Sequence, residues 1–122
     1  MLSSKEINVL GQITQRGWGV SSMPNSVTCS IEGDTLKFKF ITVVHFAADA
    51  ALRNQVENIS YESLDIIKKC VADTKAKFKD ATGKTLKLKE ISNSDSIEVI
   101  SATNLSPRRS AYYRRMVVVQ VG

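Results

Sequence analysis

Four arginines and two tyrosines fall within ten residues, in the stretch SPRRSAYYRR at 106–115. A guanidinium group bonds carboxylate or phosphate through two parallel N–H donors and stacks on aromatic rings. Arg108, Arg109, Arg114 and Arg115 beside Tyr112 and Tyr113 therefore have the chemistry to hold the acidic groups of a neighbouring subunit, or to grip a single-stranded nucleic acid. Lysines make a second basic cluster: residues 68–89 hold eight of them against Asp73 and Asp80. Residues 102–122 hold four arginines and no acid, and the rest of the chain sums to −5 although the total is +5. Such asymmetry steers nucleic acid or a complementary copy of the same protein. Lys68, Lys69, Lys75, Lys77 and Lys79 read first as the solvated face of a helix and second as phosphate contacts.

Residue types that would support catalysis are sparse. The single histidine, His45, stands between Val44 and Phe46 on a segment that reads as a buried strand. It is expected as a core or interface histidine, because the sequence ties no serine or cysteine nucleophile to it. The stretch Ala81-Thr82-Gly83-Lys84-Thr85 has the end of a phosphate loop, but Phe78 stands where that motif needs glycine, and the stretch closes a helix. Glu32, Asp34 and Asp95 read as isolated turn residues, and Cys29 and Cys70 lack zinc spacing, so free thiols and no metal site are expected. We expect a protein that is not an enzyme, with no cofactor and no small-molecule substrate.

The elements that must place these residues can be read from patterning. The 122 residues suit one domain spanning 1–122. No stretch has the length of a signal core or a membrane span, which points to a soluble protein made inside the cell. Ser3 and Glu6 form a capping box ahead of Ile7 and Leu10, Gly17 stops that short helix, and Met23-Pro24-Asn25-Ser26 reads as a loop. Trp18, between Gly17 and Gly19, reads equally as an exposed anchor or as a lid on its own core.

The stretch VTCSIEGDTLKFKFITVVHF reads as a hairpin turning at Gly33-Asp34. That turn puts Ile31 opposite Leu36, Cys29 opposite Phe38 and Val27 opposite Phe40, with Ser30–Lys37 and Thr28–Lys39 on the solvated face. Lys37 and Lys39 join the contact candidates on that basis. The strand's calculated length exceeds the expected body, so its tip is expected to project. Ile41 to Phe46 alternate poorly, which implies burial on both faces.

From Asp49 to Ala81 the spacing is helical, with a break or bend expected at Asn58-Ile59-Ser60, where Ser60 or a neighbour would cap the main helix, and a stop at Gly83. A second hairpin is expected in KTLKLKEISNSDSIEVIS, turning at Asn93-Ser94, with Lys89 opposite Glu98 and Leu88 opposite Val99. Asn104-Leu105-Ser106-Pro107 then leads to a strand from Tyr112 to Val121, apolar on both faces at its centre and therefore interior to a sheet, its tyrosines and arginines reaching solvent. The class is α+β: a largely antiparallel sheet of about five strands, in two hairpins plus a C-terminal strand, packed with a short N-terminal helix and a long central one.

That order of elements, with the hairpin VTCSIEGDTLKFKF and the closing SPRRSAYYRRMVVVQV, resembles small virion proteins of tailed bacteriophages, of the tail-terminator and neck type. The resemblance is architectural and covers most of the chain. It implies a ring-forming homo-oligomer in contact with other virion proteins, located in the virion after synthesis in the host cytoplasm. Trp18, Lys37, Lys39, Arg108, Arg109, Tyr112, Tyr113, Arg114 and Arg115 are its expected contact residues. A small nucleic-acid-binding protein is the alternative.

Overall fold

Ser3 opens the first helix, α1 (Ser4–Thr14): its hydroxyl accepts the Glu6 N–H at 3.1 Å, while the Glu6 carboxylate accepts the Ser3 N–H at 3.0 Å. The computed structural model describes residues 2–20, 23–100 and 109–122. After α1 come β1 (Trp18–Val20), β2 (Met23–Glu32), β3 (Thr35–Phe46), α2 (Asp49–Thr82), β4 (Leu88–Ile100) and β5 (Arg109–Val121). The strands form one antiparallel sheet in the order β1-β2-β3-β5-β4.

The first hairpin has the register its alternation predicts, from Glu32 opposite Thr35 to Val27 opposite Phe40. The side-chain period of two then sorts the whole sheet into two faces. Leu36, Phe38, Phe40, Val44 and Phe46 of β3 and Ala111, Tyr113, Arg115, Val117 and Val119 of β5 are buried on one face. Both helices pack there, with Leu10 of α1 and Ile67, Cys70 and Phe78 of α2 in the same cluster. Each large apolar side chain so covered contributes about 2 kcal/mol relative to exposure. No helix lies on the other face among the described residues.

Gly17 fits α1 to the sheet. Its φ is +62°, and a Cβ there would sit 2.4 Å from the Val27 carbonyl oxygen. Only a residue without a side chain lets the chain turn so close to β2. At the far end of α2, Gly83 in the left-handed region closes the helix with its N–H on the Lys79 carbonyl at 2.7 Å.

Four expectations are corrected. First, α2 runs unbroken for 34 residues, about 50 Å. Asn58-Ile59-Ser60 does not break it: Ile59 packs on the core, and the Ser60 hydroxyl accepts a bond from Arg115 at 2.8 Å instead of capping a new helix. Second, residues 88–100 are one strand, not a hairpin, with Lys89 opposite Gln120 and Glu98 opposite Tyr112. No residue in Ser92-Asn93-Ser94-Asp95-Ser96 is a glycine to supply a tight turn, and an edge strand tolerates polar side chains on both faces.

Third, the tip of the first hairpin does not project. Thr35 pairs with Gln120, and the Val121 N–H donates to the Asp34 carbonyl at 2.9 Å, so β5 flanks the turn. Fourth, residues 23–26 belong to β2 rather than to a loop. The connection Asn104-Leu105-Ser106-Pro107 lies outside the described residues.

Candidate interaction surfaces

β5 carries Tyr112, Tyr113, Arg114 and Arg115 in succession, so alternate members point to opposite faces of the sheet. Tyr113 and Arg115 turn under α2. Arg115 is only 6% exposed, and all three of its guanidinium nitrogens donate: Nε to Ser63 at 2.7 Å, Nη1 to Asn93 at 2.6 Å, and Nη2 to Ser60, Asp95 and the Tyr113 hydroxyl at 2.8, 3.1 and 3.0 Å. Tyr113 donates in turn to Asp95 at 2.9 Å. One guanidinium thus ties α2, β4 and β5 together in a satisfied network. Tyr113 and Arg115 are therefore not surface contacts, because odd positions of β5 face the helices. Arg115 thereby links the polar Ser60 and Ser63 of α2 to Asn93 and Asp95 of β4.

The even positions remain outside. Arg114 bonds Glu98 at 2.8 Å and lies over the Tyr112 ring, 5.4 Å from its centroid. On the same open face stand Lys37, Lys39, Ile41, Val43 and His45 of β3 and Met116 and Val118 of β5. Val43 is 40% exposed and Met116 39%. The two-sided burial expected for Ile41 to Phe46 is thus absent within one protomer: Val44 and Phe46 are covered, while their odd neighbours wait outside. Lys37 makes a long pair with Glu32 at 4.0 Å. Arg109 bonds Asp49 at 2.8 Å and covers the Phe46 ring at 5.0 Å. Arg108 lies outside the described residues.

His45 is exposed, not buried, since odd positions of β3 point outward; its Nδ1 lies 2.8 Å from the Ser110 Oγ. This pairing across the β3–β5 ladder could not be read from residues so far apart in sequence. The pair sits on a flat strand surface, and among the described residues no carboxylate is bonded to the ring to orient it. Trp18 is a lid. Its ring stacks at a tilt against Phe38, 5.8 Å between centroids, and its indole N–H donates to Asp73 at 2.9 Å. That bond, with Lys77 behind it, holds the Asp73 carboxyl below the usual carboxylate range. An exposed anchor at Trp18 is excluded by these contacts.

The helix lysines divide. Lys69 and Lys77 pair along the helix with Asp65 and Asp73 at 3.2 and 2.9 Å, an arrangement usual on a solvated helix face. Lys68 and Lys75 rim a groove of about 300 Å³ between α2 and β4, floored by Leu64, Val71, Leu88 and Val117. Lys79 is exposed near the C-terminal end of the helix. Burial pushes the Cys29 thiol up to about 12 and the Cys70 thiol to about 11, which disfavours the thiolate at both. They are free cysteines. No group of three or more metal-ligating side chains occurs among the described residues, and no helix there is long and apolar enough to cross a membrane. Compared with known family models, curated protein sequences and solved structures, the chain finds no match.

Proposed function

We propose that this chain is a structural subunit whose task is assembly: it joins copies of itself and other proteins through a sheet that its own helices cover on one face only. The observation that carries the reading is the open face. Ile41 and Val43 of β3 lie there diagonally to Met116 and Val118 of β5, with Arg114 and Tyr112 opposite the first two and Lys39 and Lys37 opposite the second two, so apolar, aromatic and cationic groups are mixed as in protein interfaces. The satisfied, buried Arg115 network supports it too, because a rigid sheet is a better platform for repeated contacts than a loop.

The resemblance to tail-terminator and neck proteins supplies the setting we propose: a virion ring at the end of a tail tube or at its junction with the head. The subunit does no chemistry in this reading. Size-exclusion chromatography with light scattering, followed by particle imaging, tests it. A ring-sized particle, or a subunit that assembles on a tube partner, is expected. A monomer that persists at high concentration and takes no protein partner overturns it.

A second reading, nucleic-acid binding, is favoured by one observation: Lys37, Lys39, Arg114, Tyr112 and His45 share the open face, where cations and rings could follow a single strand. Counterion release would make its affinity fall steeply with salt. Absence of binding to single-stranded DNA or RNA at low salt removes it.

A further inference from the structure

The edge of the sheet carries the next step. β4 pairs with β5 on one side only, so among the described residues the backbone groups on its other side meet no strand. Ile97 and Val99 are 41% and 53% exposed, on the helix-side face but beyond the reach of α2. A long edge of this kind is a template for another strand, and natural proteins blunt such edges with charges and bulges. β4 has both: Lys89, Glu90, Asp95 and Glu98, and a shift of register between Glu90 and Ser92 that leaves Ile91 unopposed. Those features repel a random strand. They also fit one partner in one register.

From these we infer that β4 pairs antiparallel with β4 of a second copy about a two-fold axis at Ser94, joining the two sheets edge to edge. The inference rests on the assembly reading above and names its first contact. Facing is the first test of the register. With the axis at Ser94, Asn93 lies opposite the second copy's Asp95 and Ser92 opposite its Ser96. Beyond the unopposed Ile91, Glu90 then meets Ile97, Lys89 meets Glu98 and Leu88 meets Val99. Each of these pairs joins residues on the same face, since Leu88, Glu90, Asn93, Asp95, Ile97 and Val99 oppose helix-side positions of β5, all buried except the partly buried Val121, while Lys89, Ser92, Ser96 and Glu98 oppose outward ones. A slip by one residue would set helix-side residues against outward ones, and charge decides among the registers that keep the facing.

Charge is the second test. Lys89 and Glu98 meet twice, once on each side of the axis, and Leu88 and Val99 form apolar pairs beside them. The match of Lys89 with Glu98 that suggests a hairpin in the sequence is thus a real self-complementarity, met between two chains and not within one. Such a pair closes on itself, so a ring or any larger body is built from pairs through the open sheet face.

The experiment uses charge reversal. Lys89→Glu and Glu98→Lys each place like charges opposite one another at both contacts, and each is expected to raise the dissociation constant of the pair about tenfold or more. Mixed together, the two variants meet as opposite charges and are expected to associate again, which a folding defect could not produce. As a second measurement, Ser94→Cys lies on the axis, at the spacing of directly opposed strand residues that a disulfide can bridge. Mild oxidation is expected to cross-link it far faster than Ser92→Cys. Self-association that neither reversal weakens, or equal cross-linking at both cysteines, overturns the β4 pairing and leaves the assembly reading standing. A wild-type chain that stays monomeric overturns the β4 pairing, and one that also takes no protein partner overturns both.

Discussion

Tyr112 and Arg114 form one half of a doubled motif on β5, and Tyr113 and Arg115 form the other. The chemistry of the two halves is identical, yet their surroundings are opposed. The odd pair lies under α2 with its donors engaged; the even pair lies on the open face, with Arg114 in a single ion pair to Glu98 and resting on the Tyr112 ring. What separates them is position parity along a strand, not residue type. A cluster of arginine and tyrosine in sequence is therefore two populations, one that builds the fold and one that is available to partners.

Substitutions sharpen that contrast. Arg115→Ala should cost about 3 kcal/mol, the low end for removing one member of a buried pair because Asp95 retains some contact with water. Arg115→Lys should recover only part of it, since three donors on a point charge cannot reproduce the guanidinium's bonds to five side chains. Urea midpoints with unchanged slope are the measurement. Tyr113→Phe, which removes a hydroxyl bonded to Arg115 and Asp95, should cost about 1 kcal/mol in the same assay. Arg114→Ala should lie within about 0.5 kcal/mol of wild type for the isolated chain, as for other surface ion pairs. Equal losses at 114 and 115 would break the comparison outright.

The smallest effect concerns pH. The N–H and hydroxyl of Ser3, with Lys84, hold the Glu6 carboxyl down from 4.5 to about 2. Its folded value is the lower one, so its contribution is complete above pH 4.5 and is lost as the pH falls towards 2. Glu6→Gln should lack that component of the acid profile, read by helical circular dichroism across the same window.

The first hairpin was legible because strict alternation and a Gly-Asp turn agree, leaving one register that pairs every apolar residue with another. The capping box and the Gly83 stop were legible for a similar reason: each is a local device, complete within a few residues. What escaped is non-local. Nothing within Asn58-Ile59-Ser60 reveals that Arg115, distant in sequence, gives Ser60 a bond that suits a continuing helix. The polar run Ser92 to Ser96 reads as a turn because a lone sequence does not show that β5 lies alongside it. The surface was half legible: the residue types were correct, but which of them remain outside required the order of the strands.

That order has a temporal consequence. β5 sits between β3 and β4 yet follows both in the chain, so during synthesis β4 leaves the ribosome with no ladder to join. The nascent protein must hold its first hairpin and long helix in a half-built state until β5 has emerged, and only then can that interior strand slot home and pair with β4. Stability is thus granted late and all at once. Translation stalled before β5 would release a chain whose greasy edge is open to any passing strand.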